Sequence, residues 1–319
     1  MAYGVKVFIT KNRVCRDVAV LRLKNKRQQK QFLFMANTEH FALLMSGAVQ
    51  WIKWRGKNPN LEIDLSAANL QSANLRGRNL SKVNLRGANL SHVLAIAANL
   101  ESANLSTADL TLALLSAANL CTANLSLANL RGANLKEAVL KDANLIGADL
   151  REVNLINADL ENANLMGADL SAANLKAADL SAAKLVQVNL REAKLTDAHL
   201  CHADFSYTNF FGAELNSAYL YKAQLNRANL AEAHLSKAYL LGANLSNAQL
   251  TNADLRWTNL SKANLAGANL SNANLRGANL YKANLTGANL SKANFRGANL
   301  QGIALSDRLE LDILGAKLD

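Results

Sequence analysis

From Leu65 to Leu305 an apolar residue returns at every fifth position. Of the 49 pentads in that frame, 48 have Leu or Phe at the centre; the exception is Ala95, with Leu94 one place early. No ordinary element explains a period of five. On a helix each five-residue step turns about 140° net, so the leucines would spread around the axis instead of forming a stripe. On a flat strand an odd step sends successive leucines to opposite faces. The period fits a chain that changes direction about once per pentad.

The rest of the pentad agrees. The residue two before the centre is Ala in 40 of 49 pentads, and the residue one before is Asn or Asp in 36. Twelve of the 16 glycines, from Gly77 to Gly302, fall two after the centre, and the only proline, Pro59, precedes the array. The central Leu and the Ala two before it share parity, so both point inward, and Ala leaves room at a crowded bend. The residues beside the centre point out. The residue two after it lies at the turn, where Gly tolerates positive φ. Asn and Asp beside the turn can bond local backbone and help it close. Val83, Val93, Val153 and Val188 replace the inward Ala acceptably, whereas Arg78 is expected to extend out of the first coils.

This pattern resembles the pentapeptide-repeat family, whose motif is A(D/N)LXX, over about three-quarters of the chain. The resemblance implies an all-β solenoid, a right-handed quadrilateral β-helix with four pentads per coil. Roughly 12 coils at ~4.8 Å each would make a stack about 58 Å long. The stretch "MANTEHFALLMSGAVQWIKWRGKNP" is similar to the opening of cyanobacterial-type members. That places the natural start near Met35 and makes residues 1–34 a basic extension without a family counterpart. The alternation of Val5, Val7 and Ile9 would suit a short hairpin there.

An open solenoid exposes unpaired backbone at both ends, so caps are expected. Residues 35–60 supply one, with a single amphipathic helix from Thr38 to Trp54. Phe41, Leu44, Met45, Ala48 and Ile52 form its apolar stripe, Asn37 or Thr38 its N-cap, and Gly56 to Pro59 its stop. Residues 61–305 are the β-helix. Residues 306–319 supply a second lid, with Ser306 as N-cap and Leu309, Ile313 and Leu314 over the last coil. A flexible tail is the alternative at either end.

The formal charge is +11, but it is unevenly placed. Residues 1–60 hold 12 Lys and Arg against 2 Asp and Glu, while residues 61–319 hold 23 against 22. Gyrase-protecting members of the family are strongly acidic DNA mimics, and the near-neutral array departs from them. Cys15, Cys121 and Cys201 have unrelated spacings and make no disulfide framework, which suits a reducing compartment. No apolar run approaches the roughly 20 residues of a membrane helix. Residues 1–34 lack both the apolar core of a secretory signal and the serines of a transit peptide. Cytoplasm is the expected location.

With 20 residues per coil, positions 20 apart share a column, and irregular outward columns mark candidate sites. The Asn/Asp position breaks down between Lys184 and Gln249. Lys194, Glu214 and His234 share one column. His199, Tyr219 and Tyr239 share a corner column, with Cys201, Tyr221 and Leu241 two residues on. His199, Tyr219, Tyr221, Tyr239 and Leu241 then form an aromatic-rich patch suited to a protein partner. Cross-coil stacking that only stabilises the surface is the other reading. Arg256, Arg276 and Arg296 form a column beside Trp257, with Lys262 and Lys282 at another corner. Three stacked arginines repel unless an anion or a carboxylate such as Asp254 answers them. That column is either an anion or nucleic-acid track or a solvated face.

Catalysis finds little support. "HLCHAD" brings His199, Cys201 and His202 together, but no fourth zinc ligand is evident and a filled, convex array offers no pocket. His40 and His92 are expected as isolated surface residues. There is no phosphate loop or dinucleotide fingerprint, so no metal, cofactor or catalytic residue is assigned. The expected function is a non-catalytic scaffold or regulatory module for an unidentified protein partner, with no membrane role and a possible homodimer through a terminal coil. The alternative is a nucleic-acid binder, or a modulator of a DNA-acting enzyme, through the basic N-terminus or the Arg256, Arg276 and Arg296 column.

Overall fold

The computed structural model describes residues 37–59 and 61–304, all of which belong to the compact unit Met35–Asp319. The expected basic extension over 1–34 and the expected lid over 306–319 lie outside the described residues.

Each pentad contributes one parallel bridge residue, paired with the residue 20 positions on, from Asp64–Asn84 through Asn284–Ala304. Four pentads therefore complete one coil, and the coils stack as a β-helix. All five backbone N–H groups of a regular pentad find acceptors, as the stretch around Leu65 shows. Leu65 donates to the Asn84 carbonyl one coil on (2.7 Å), and Ala67 donates to Arg86 (2.8 Å). Ala68 closes a four-residue turn onto Leu65 (3.1 Å), and Asn89 donates back to Ala68 (2.9 Å). The fifth, on the residue after the centre, goes to the side chain of the preceding Asn or Asp, as when Ser66 donates to Asp64 Oδ1 (3.0 Å). A buried amide without a partner costs a few kcal/mol, so this complete assignment is what lets so compact a unit repeat. Among the described residues the carbonyl two after the centre has no backbone partner and faces outward at the corner.

Every corner residue from Ala67 to Gly302 has a positive φ, between 53° and 69°, and 36 of these 48 residues are not glycine. The turn demands this as a type II turn does at its third residue. The strain, of order 1 kcal/mol at each non-glycine, is offset by the hydrogen bonds that the corner amides from Ala67 to Lys282 give to the next coil. The centres and the residues two before them make one continuous apolar core. Thr208 and Thr258 occupy inward slots and are fully buried, their hydroxyls donating to the carbonyls of Leu185 and Leu255. Phe205 and Phe210 enter the core with ring centroids 5.1 Å apart. On two faces the outward Asn side chains form amide ladders from coil to coil, as in Asn104, Asn124 and Asn144.

Three expectations fail at the first coils. Residues 38–54 do not form one helix. α1 (Thr38–Met45) and α2 (Ala48–Lys57) are separated by Ser46 and Gly47, where Gly47 takes φ 118°. The break re-phases the apolar stripe. Leu44, Trp51 and Arg55 are buried, while Met45 and Ile52 are more than half exposed. Asn37 caps α1, accepting from the amides of Glu39 and His40. The helices are tied to the first coil by Trp51 Nε1, which donates to the Asn79 carbonyl (2.8 Å), and by Arg55, which donates to Ser81 (2.6 Å). Second, His40 is not an isolated surface residue. Its Nδ1 accepts from the Asp64 amide (3.2 Å) and its ring meets Trp54. Third, Arg78 does not reach out of the coils: it is buried and its Nη1 has no partner. Burial lowers its pKa. No salt bridge to Arg78 is found among the described residues.

No helix among the described residues is long and apolar enough to cross a membrane.

Candidate functional site

The columns inferred from a 20-residue register are present. Lys194 pairs with Glu214 and Glu214 with His234; His199 pairs with Tyr219 and Tyr219 with Tyr239. These last three sit at the bridge position in the middle of a face. They are not at a corner, which belongs to the left-handed residue three places later. Between Lys184 and Gln249, nine of the 14 bridge positions lack Asn or Asp. At each of those nine the turn amide has no side-chain acceptor among the described residues.

At three of the nine, His199, Tyr219 and Tyr239, ring contacts take the place of that bond. His199 lies 5.0 Å from Tyr219, and Tyr219 stacks on Tyr239 at 5.3 Å with planes within 6°. Tyr221, two residues along, meets His202 edge-on at 5.3 Å, and Lys222 covers its face. Tyr219, Tyr221 and Tyr239 are between 37% and 50% exposed, whereas Leu241 and Cys201 are half-buried. The patch is thus a rigid stack of three rings with Tyr221 beside it. His199, Cys201 and His202 do not converge: each imidazole turns to a different tyrosine, and Cys201 Sγ faces the Tyr219 carbonyl at 3.6 Å. Among the described residues no three His, Cys, Asp or Glu side chains come together as metal ligands would.

The Arg column is not uniform. Arg256 grips Asp254 with two bonds, of 2.8 and 2.7 Å. This bonding holds the Asp254 carboxyl below its ordinary pKa and raises that of Arg256. Arg276 and Arg296 stand in the same relation to Asn274 and Asn294, and no carboxylate answers them among the described residues. Arg151 and Asp149 repeat the paired arrangement elsewhere on the array.

Two features escaped the column map. A shallow groove of about 330 Å³ lies between Tyr239 and Trp257, lined also by Lys237, Asn259, Gly277 and Asn279. It joins the tyrosine stack to the arginine side of the array. The Trp257 ring lies against Gly277, where a Cβ would collide with the indole. Separately, Leu127, Ile146 and Met166 leave 40% to 65% of their surface exposed in consecutive coils.

A family model described as pentapeptide repeats (8 copies) matches segments spanning residues 63–171, 173–261 and 263–302, well over half of the chain. No curated protein sequence matches. Among solved structures, HetL from the cyanobacterium Nostoc sp. strain PCC 7120 is a pentapeptide repeat protein involved in heterocyst differentiation regulation. It is 37% identical, with 66% of this chain and 90% of HetL covered at a TM-score of 0.34. The plasmid-mediated fluoroquinolone resistance protein QnrB1 is 22% identical over 59% of this chain and 90% of its own, at a TM-score of 0.38. A pentapeptide repeat protein of the Arabidopsis thaliana thylakoid lumen is 34% identical over 33% of this chain and 69% of its own, at 0.25. The repeat, its register and the family model agree: the chain belongs to the pentapeptide-repeat family, whose fold is a right-handed β-helix.

Proposed function

We propose that this protein is a non-catalytic interaction module that presents side chains to a protein partner on the faces of a four-sided β-helix, and that it acts in the cytoplasm. The observation that carries the reading is the His199–Tyr219–Tyr239 stack. These rings occupy positions that elsewhere hold the Asn or Asp that closes the turn. Each replacement forgoes a hydrogen bond worth about 1 kcal/mol. Tyrosine gives a partner a large, rigid contact area with a hydroxyl at its edge. Tyr221 and Leu241 extend the patch. The regular, filled core supports a scaffold role, because it leaves the exterior as the working surface. The three cysteines, at unrelated spacings, fit a reducing compartment.

Affinity capture with the wild-type chain and with Tyr219→Ala/Tyr239→Ala tests this. The double variant is expected to keep its thermal unfolding midpoint within a few degrees and to lose the specifically captured partner. Equal capture by both chains would remove the patch from the proposal.

A further inference from the structure

The aromatic stack ends at an open place. Tyr239 is followed in its column by Asn259, a short side chain, and the groove between Tyr239 and Trp257 lies there. We propose that this groove, with the basic coils beyond it, binds single-stranded nucleic acid, with one base continuing the ring stack over Asn259. The proposal stands apart from the protein-partner reading and shares only Tyr239 with it.

Charge is the first reason. Residues 61–250 hold 15 Lys and Arg against 17 Asp and Glu, but residues 251–304 hold six against one. The single acid, Asp254, is already bound to Arg256. The other five basic residues have no carboxylate partner among the described residues. Arg276 and Arg296 border one edge of the face that carries Tyr239, Asn259, Asn279 and Asn299, and the Lys262 and Lys282 corner borders the other. From Tyr239 to Asn299 the face runs three coil steps, about 14 Å at ~4.8 Å each. Strands are bound without sequence preference by this combination, a cationic track with aromatic rings on which bases stack.

Hydrogen-bonding character is the second reason. Asn259 Oδ1 accepts from the Ser261 amide (3.1 Å), and Asn279 Oδ1 accepts from the Tyr281 amide (3.1 Å) and from Asn299 Nδ2 (3.2 Å). Their Nδ2 groups have no acceptor among the described residues, and both residues line the groove with Lys237. The site therefore offers ring faces, neutral donors and cations together. A nucleobase matches the first two with its π-face and its edge carbonyls and ring nitrogens, and the phosphates that follow match the third. An acidic peptide could meet the cations and, through its carbonyls, the amides, but it would lack a flat π-face at each step of the track.

The experiment uses the full chain and fluorescein-labelled 15-mers of dT and U, read by anisotropy over a salt series and by quenching of Trp emission. Wild type is expected to bind with quenching. Trp257→Ala should lose the quench and roughly tenfold in affinity, the scale of one base–aromatic stack. Trp257→Phe should retain most of the affinity. Gly277→Ala should act like Trp257→Ala by displacing the indole. Arg276→Ser/Arg296→Ser should flatten the slope of log K against log salt by about 1.4, from ~0.7 for each single-strand phosphate contact. Thermal melts confirm that each variant is folded. Three results would overturn the proposal: affinity, slope and quench unchanged in every variant, as if the first 34 residues alone bound the strand; thymidine monophosphate binding as tightly as the 15-mers; or an acidic Tyr-containing peptide binding where the oligonucleotides do not. Retention of partner capture by Trp257→Ala separates this outcome from that of the tyrosine patch.

Discussion

The coils around Asn124 and those around Tyr219 share one backbone and one core yet use the same outward position in opposite ways. Asn124 receives the Ser126 amide at 3.1 Å and links Asn104 to Asn144 in an amide ladder. Tyr219 receives no amide and stacks between His199 and Tyr239. The β-helix tolerates the second use because four of five backbone amides per pentad are already satisfied by other coils or by the turn. The side chain before each leucine is thus a local stabiliser that can be released one pentad at a time. A surface for recognition can be built without touching the core.

The largest test asks whether the two regions are equally tight inside. Phe205→Ala should cost about 4 kcal/mol and Leu165→Ala about 3, as for other buried large-to-small changes. Both would be measured by denaturant unfolding. A loss under about 1 kcal/mol at Phe205 would mean that the aromatic coils are loosely filled and that the comparison fails at the core.

The next test exchanges the outward roles. Asn124→Ala should cost about 1 to 1.5 kcal/mol for its lost bonds. Tyr219→Asn restores the turn acceptor while removing two ring contacts, so stability should change by less than about 0.5 kcal/mol. Partner capture should nevertheless fall. A stability loss at Tyr219→Asn as large as that at Asn124→Ala would show that the rings are there for the fold.

The smallest effect serves as a control on the backbone. Ala177 and Ser217 both hold a left-handed corner, at φ 53° and 57°. Replacing either by Gly relieves strain but adds freedom to the unfolded chain, so each should shift stability by no more than about 0.5 kcal/mol, and by the same amount. Unequal shifts, seen in parallel thermal melts, would show that the corners differ between regions.

The core and the turn were readable because period five, Ala two before the centre and Asn one before it each answer a separate physical demand. The Tyr219–Tyr239 stack was readable from register alone. The groove was not, since Tyr239 and Trp257 are 18 residues apart and belong to different columns that meet only around a corner. The basic end was hidden by averaging, because an acidic remainder brings the whole array close to neutrality. The helix break at Gly47 was masked by apolar residues that happen to suit an unbroken stripe. Arg78 violated the inward pattern openly, but that it stays buried with Nη1 unpartnered is visible only in three dimensions.

The 20-residue register has a consequence for changes in length. Insertion or removal of one whole turn of the helix leaves every side chain downstream on its original wall. A five-residue change is equally silent to the leucines, yet it moves everything beyond it to the neighbouring wall. His199 would then part from Tyr219 while the interior stayed intact, so two chains with equally good hydrophobic cores can differ completely in what they are able to recognise.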